Sequence, residues 1–202
     1  MSQYDAVLFD FDGVLGDTEQ IHFAAWREVL LPHKIDLTWP FFAEHCVGVA
    51  DKDMVEIARR LGTPEPAMEV LWPEYQHKKD LFRRLVALES PIPDATVELI
   101  RSLNGMKLAV VSSSTRAEIE PILIRAGILD AFSTTVFGDD VVNLKPHPEP
   151  YLTGAERLAA VRPLVVEDSD AGEASGRTAG FQVLRVDAAQ NTAQLVRAEL
   201  GI

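Results

Sequence analysis

Two carboxylates two residues apart, Asp10 and Asp12, follow directly on the apolar run Tyr4–Phe9, with Gly13 next in line. Where a strand runs out into a loop, side chains at i and i+2 point the same way, and a glycine after them permits a turn that other residues resist. One such carboxylate can attack an electrophile while the other handles protons. Three further stretches have the residue types for related chemistry. Val110-Val111-Ser112-Ser113-Ser114-Thr115 leads a β-branched run into hydroxyls, and Ser112 with the N–H groups of the following turn can hold phosphate oxygens without adding charge. Alone, a Ser or Thr at this place also reads as a simple helix N-cap, and Thr115 with Glu118 three residues on fits a capping box. Lys145, in Leu144-Lys145-Pro146-His147-Pro148, is a point cation whose backbone is restrained by two prolines, suited to neutralising a nucleophile and a transferring phosphoryl group. Val165-Val166-Glu167-Asp168-Ser169 delivers two adjacent carboxylates. A hard divalent cation such as magnesium takes a few oxygen ligands together with water and phosphate, so Asp10, Asp168 and the Asp12 carbonyl would suit it.

Four stretches so far apart in sequence act together only if the fold converges their ends. From Asp17 to about Leu85 the pattern is helical: HFAAWREVLL, DKDMVEIARRL and EYQHKKDLFRRLVAL place apolar residues at three- and four-residue spacing. Pro32, Pro40, Gly62–Pro66 and Pro73 break this block into four or five helices with no strand signal. From Ile92 onward short β-branched runs (KLAVVS, TTVFG, LVVED, QVLRVD) alternate with helical segments, which argues for a parallel sheet covered by helices on both faces. The run Tyr4–Phe9 has the same character. The fold class predicted is therefore α/β, a Rossmann-like doubly wound parallel sheet formed by residues 1–16 and 88–202, with residues 17–87 as an inserted all-helical cap. Each chemical stretch then lies at the carboxyl end of a strand, where open α/β sheets place their ligands.

In the order DxDGV, strand–Ser, KPxP and EDS, the chain resembles the haloacid dehalogenase superfamily, in the branch with a helical cap inserted after the first motif. The resemblance spans essentially the whole chain. It implies a magnesium-dependent phosphomonoester hydrolase for a small phosphorylated metabolite such as a sugar phosphate, in which Asp10 is the nucleophile that forms an aspartyl-phosphate. Asp12 is then the general acid/base, with its backbone carbonyl on the metal; Ser112 and Lys145 grip the phosphoryl group; Asp168 is the remaining protein ligand of magnesium, with Glu167 a ligand directly or through water. Ser113 and His22 join Ser112 and Lys145 as substrate contacts. Asp12 speaks against the dehalogenases of this fold, which carry an aromatic residue at its position, and against phosphonate-cleaving members, which lack this aspartate too.

The nearest rival is a phosphomutase similar to β-phosphoglucomutase, which shares all four motifs and a His ten residues after the acid/base, as His22 is here. Those mutases carry Lys and Arg around a cap-loop glycine to hold a second phosphate, and CVGVADKD offers Val47 and Asp51 instead, with Lys52 next to the latter. His22 also reads as a polar face residue of the first cap helix, and Trp26, Trp39, Phe41, Phe42 and Trp72 read as helix-packing core. A third alternative is a catalytically silent binding protein on the same scaffold.

Composition narrows the field further. The chain has 202 residues, 47% hydrophobic and 25% charged, enough for one full domain with a small insertion. With 19 Lys+Arg against 31 Asp+Glu the net charge of -12 disfavours a nucleic-acid binder, which needs a basic footprint. Cys46, the one cysteine, cannot form an intrachain disulfide and reads as a small buried apolar residue. No apolar run approaches the roughly 20 residues that span a bilayer, and the N-terminal residues do not form a signal peptide. The expectation is a cytoplasmic monomer acting on a small molecule, with neither nucleic acid nor membrane as partner.

Overall fold

The computed structural model describes residues 3–47, 49–88 and 90–202; Gly48, the glycine of the CVGVADKD loop, lies outside them. The chain begins in a fully buried strand, β1 (Ala6–Phe9). It starts later than the apolar run because Asp5 turns its carboxylate onto the N–H groups of Val161 and Arg162, at 2.8 and 2.9 Å. Among the described residues five α-helices follow: α1 (Glu19–Leu30), α2 (Trp39–His45), α3 (Asp51–Ala58), α4 (Met68–Leu71) and α5 (Glu74–Leu88). They belong to one compact unit, Thr18–Glu89. The prolines act as punctuation. Pro32 falls in the turn that ends α1, Pro40 in the first turn of α2, and Pro73 between α4 and α5. Three- and four-residue spacing turns Trp26, Leu30, Met54, Val55 and Leu71 into a shared core with Phe42 and Cys46, while Trp39, Phe41 and Trp72 pack against it partly buried. Burial raises the Cys46 thiol to about 11, as befits a packing residue.

After this insertion the chain alternates strand and helix. Strands β2 (Lys107–Val111), β3 (Thr134–Val136), β4 (Pro163–Glu167) and β5 (Gln182–Arg185) are interleaved with α6 (Asp94–Ser102), α7 (Arg116–Arg125), α8 (Glu149–Leu158) and α9 (Asp170–Thr178), and α10 (Ala189–Leu200) ends the fold. All strand pairs are parallel, in the order β3-β2-β1-β4-β5. This is the parallel α/β sheet that the alternation predicts. Residues Met1–Asp17 and Ser90–Ile202 make up this second unit. β1 is central, Leu8 pairing with Ala109 on one side and Val165 on the other. β1 and β4 are buried along their whole length, the signature of a sheet covered on both faces. On one face α8 lays Tyr151 and Ala155 against Leu8, Val111 and Val136. Strand order reverses at β1, so the tips of β2, β1 and β4 form the crevice where such sheets take ligands. No helix among the described residues is long and apolar enough to cross a membrane.

The helical unit contains a charged side chain with no exposure at all, Lys78 of α5. Its ammonium lies 3.0 Å from Asp51 Oδ1, which also accepts the Trp26 indole N–H at 2.9 Å. The rings of Trp26, Tyr75 and Phe82 surround it at 5.4, 5.9 and 5.7 Å. Burial works to raise the Asp51 carboxyl, but the Lys78 charge and the two hydrogen bonds hold it below its ordinary value. Removing one partner of such a pair leaves the other charge buried and unmatched. Asp51→Ala is therefore expected to lower the free energy of unfolding by about 3 kcal/mol in urea titrations. Asp51→Ala combined with Lys78→Met should recover most of that loss, and a single variant as stable as wild type would show that the pair contributes nothing.

Candidate active site

The first motif leaves β1 through a tight turn. The N–H groups of Val14, Leu15 and Gly16 all point at the Phe11 carbonyl, at 3.2, 2.9 and 3.0 Å, and Gly13 donates to the Gly16 carbonyl at 2.8 Å. Gly13 has φ +74°, and a Cβ there would lie 2.0 Å from Asp168 Oδ2. Only glycine both takes that backbone conformation and lets the β4 carboxylate come so near. The turn thus places Asp10, at the tip of β1, beside the Glu167–Asp168 pair at the tip of β4. Oxygens of Asp10, Glu167 and Asp168 lie within 4.8 Å of one another.

One ammonium reaches into this group. Lys145 Nζ donates to Asp10 Oδ1 at 2.7 Å, to Glu167 Oε1 at 2.6 Å and to the Val111 carbonyl at the end of β2 at 2.9 Å. All three of its protons are used, and it sits 4.8 Å over the Tyr151 ring. Burial works against the Lys145 charge, but Asp10 and Glu167 outweigh it and hold its pKa above the ordinary value. Glu167 is completely buried. Its Oε1 accepts Lys145 and the Tyr151 hydroxyl at 2.7 Å, and its Oε2 accepts the Asp168 N–H, the Ser169 N–H and the Ser169 hydroxyl at 3.0, 3.1 and 3.1 Å. Five donors keep it ionised, below its usual value despite the burial that pushes it up.

The remaining carboxylates carry the excess charge. Burial, assisted by the charges of Glu167 and Asp12, pushes Asp10 well above the carboxylate range even against Lys145. Asp168 is pushed up to about 6, by burial and then by Glu167. Three carboxylates around one cation leave room in the charge balance for another, and an all-oxygen donor set of this kind matches magnesium. Asp10 and Asp168 are the two whose oxygens are not already filled by a ring of donors as those of Glu167 are.

The predicted site residues of the sheet unit converge. Ser112 is buried at the tip of β2, where its N–H continues the ladder to the Val136 carbonyl at 2.9 Å and its hydroxyl oxygen accepts the Ser114 N–H at 3.0 Å. Asp12 Oδ2 accepts the Ser114 hydroxyl at 3.1 Å. Ser113, by contrast, is exposed; the serine whose side chain reaches a carboxylate is its neighbour. His22 belongs to α1, stacked on Phe82 with ring centres 4.3 Å apart. Burial, and then the Lys78 charge, lower its imidazole to about 3, so it is neutral. Sequence reasoning did not single out Ser114 or Tyr151. Tyr151 lies six residues after Lys145 and only the register of α8 turns it inward; Ser114 had a signal, three serines in a row, that does not say which of them turns toward Asp12.

A family model described as haloacid dehalogenase-like hydrolase matches residues 7–186. The chain is 33% identical over 185 residues to a phosphorylated carbohydrates phosphatase of Thermotoga maritima, with 88% of this chain and 82% of that protein covered. It is 30% identical over 197 residues to the β-phosphoglucomutase of Bacillus subtilis, covering 92% and 84%. The crystal structure of CbbY from Rhodobacter sphaeroides in complex with phosphate superposes with a TM-score of 0.73 at 27% identity, covering 89% of this chain and 84% of that one.

Glu167 also constrains the helix that follows it. The Ser169 hydroxyl caps α9 by accepting the Gly172 N–H at 3.0 Å, which brings Gly172 so near that a Cβ there would lie 1.7 Å from Glu167 Oε1. Inside a helix Gly→Ala ordinarily gains about 1 kcal/mol. Here the clash with a buried, fully bonded carboxylate outweighs that gain. Gly172→Ala is expected to lose about 2 kcal/mol or more of stability in urea unfolding, and a neutral or stabilising result would mean that Glu167 is not held where these contacts place it.

Proposed function

This chain belongs to the haloacid dehalogenase-like hydrolase family, and on that footing we propose that it is a magnesium-dependent phosphatase acting on a small phosphorylated metabolite, a sugar phosphate by class, through an aspartyl-phosphate on Asp10. The observation that carries this reading is the Lys145 ammonium bound at once to Asp10, Glu167 and the tip of β2. A carboxylate so held by one oxygen is oriented rigidly, and its other oxygen meets phosphorus along a defined line. Asp10 forms a bond to phosphorus as the bond from phosphorus to the ester oxygen breaks. Asp12 gives its proton to that departing oxygen. Asp12 then takes a proton from water as the water oxygen bonds to phosphorus, and Asp10 leaves with its original oxygens.

Ser112 holds a phosphoryl oxygen during both steps, and Lys145, whose three protons stay on Asp10, Glu167 and the Val111 carbonyl, offsets the phosphoryl charge through its own positive charge. Asp10, Asp168 and the Asp12 carbonyl, with Glu167 directly or through water, would hold magnesium, which would supply positive charge to the crowded carboxylates and to the phosphoryl group. Ser113, exposed next to Ser112, contributes contacts to the organic part of the substrate. The named phosphatase relative supports hydrolysis of a phosphorylated carbohydrate. A second reading, phosphomutase, has support in the β-phosphoglucomutase relative. Against it, Val47 and Asp51 stand where such mutases carry cations, and Asp51 is committed to Lys78.

Purified protein with magnesium is expected to hydrolyse p-nitrophenyl phosphate, and Asp10→Asn to reduce kcat by at least about a thousandfold, the scale seen when a nucleophile is removed. Activity near wild type in that variant would reject Asp10 as nucleophile; interconversion of sugar monophosphates that depends on a bisphosphate would favour the mutase.

The raised Asp168 carboxyl links metal to pH. Its value in the fold, about 6, lies above its ordinary 3.8, so its contribution to stability is full below 3.8 and lost as pH rises through about 6. A cation that binds the ionised form restores that loss, while protons compete for the site on the acid side. Magnesium should therefore raise the melting temperature over an EDTA control clearly at pH 7.5 and much less at pH 5. Equal shifts at the two pH values, or none, would remove Asp168 from the metal site.

A further inference from the structure

Ser114 is the third serine in a row after β2, and the roles assigned above leave its side chain unused. Its hydroxyl donates to Asp12 Oδ2 at 3.1 Å, joining two loops 102 residues apart in sequence. Both loops are pinned. Ser114 N–H donates to Ser112 Oγ at 3.0 Å, and its carbonyl accepts the Gly138 N–H at 2.9 Å, which ties its backbone to the tips of β2 and β3. Asp12 forms an isolated bridge with Gly16 inside the turn that follows β1. The contact thus joins two fixed backbones and is not the chance meeting of mobile side chains. Nor is it a helix cap, because the N-cap of α7 is Thr115, whose N–H and hydroxyl go to Glu118 at 3.3 and 2.9 Å.

We propose that Ser114 is a positioning residue for the proton transfers of Asp12. This rests on the aspartyl-phosphate reading above. A carboxyl group rotates broadly about its Cβ–Cγ bond; the hydrogen bond to Oδ2 stops that rotation and assigns the proton transfer to Oδ1. In the first half-reaction the Oδ1 proton passes to the ester oxygen, which keeps the electron pair of the breaking bond to phosphorus. In the second, Oδ1 accepts a proton from water as the water oxygen bonds to phosphorus. Ser114 exchanges no proton in either step.

A residue that acts through a general acid matters in proportion to how much the leaving group needs a proton. p-Nitrophenolate leaves readily without one, whereas the alkoxide of a sugar or polyol phosphate does not, and general acid catalysis contributes about 10²–10⁴-fold where it is needed. The test is kcat/KM, which reports only the steps through release of the alcohol, measured with magnesium on p-nitrophenyl phosphate and on a series of alkyl phosphates. Ser114→Ala is expected to lose about tenfold more on the alkyl than on the aryl ester, a fraction of the whole acid effect because Asp12 itself remains. Ser114→Thr, which keeps a hydroxyl, should restore the wild-type ratio. Ser114→Cys, of similar size but a weak donor, should fall between and serves should the alanine variant fold poorly. Equal losses on both esters would make Ser114 a phosphate or structural contact, and no loss would make the bond idle; either overturns the proposal. Failure of wild type to hydrolyse any of these esters with magnesium would instead overturn the underlying reading, and the proposal with it.

Discussion

One ammonium holds the centre of this protein together. Lys145 gives all three protons to partners from three strand ends: Asp10 after β1, the Val111 carbonyl of β2 and Glu167 of β4. Taken singly, none of these groups belongs in an interior. A buried carboxylate or ammonium is expensive unless matched, and breaking such a match typically costs 3 to 5 kcal/mol or about that. Together they are self-consistent, and among the described residues every buried side-chain nitrogen and oxygen has a hydrogen-bond partner. The arrangement is nonetheless one cation for several carboxylates. Glu167, with five donors, stays ionised, while burial first and then the Glu167 charge drive the carboxyls of Asp10 and Asp168 upward. A site built this way has an affinity for positive charge written into it, even though the chain as a whole carries -12.

The sheet makes that convergence possible. Parallel strands point their carboxyl ends one way, and the reversal of order at β1 opens a gap between the loops after β1 and β2 on one side and β4 on the other. Close approach across the gap then falls to backbone without side chains. Gly13 and Gly172 stand where any Cβ would run into Asp168 or Glu167. These two glycines belong to the electrostatics as much as the charged residues do, since distance decides how strongly the carboxylates feel one another.

Much of this was legible in the sequence because parallel strands advertise themselves. Runs such as AVLF and LVV are buried on both faces, and the first polar residues after each mark the strand's tip, which is how Asp10, Ser112 and the Glu167–Asp168 pair could be placed together before any coordinates. In the insertion, three- and four-residue spacing marked α1, α3 and α5, and the prolines between them set the total at four or five helices; the short α2 and α4 carried no periodicity of their own. What sequence does not show is which of several equivalent atoms meets which partner. Tyr151 is an ordinary aromatic in the first turn of a helix until the rotation of α8 aims its hydroxyl at Glu167. Three consecutive serines differ only through the turn they occupy: Ser112 is buried, Ser113 exposed, and Ser114 reaches Asp12. Glu167 reads as one more metal-type carboxylate, and only its five donors reveal it as the anchor of the lysine.

The two compact units also divide the physical labour. Each has its own apolar core, and each has its own buried lysine matched to a carboxylate: Lys145 with Asp10 and Glu167 in the sheet unit, Lys78 with Asp51 among the helices. The groups assigned to phosphoryl chemistry, Asp10, Asp12, Ser112, Lys145 and Asp168, all come from the sheet unit, Met1–Asp17 with Ser90–Ile202. Residues inside the helical insertion can therefore change while that constellation of charges stays whole, because among the described residues no acceptor of a Lys145 proton and no donor to Glu167 comes from it.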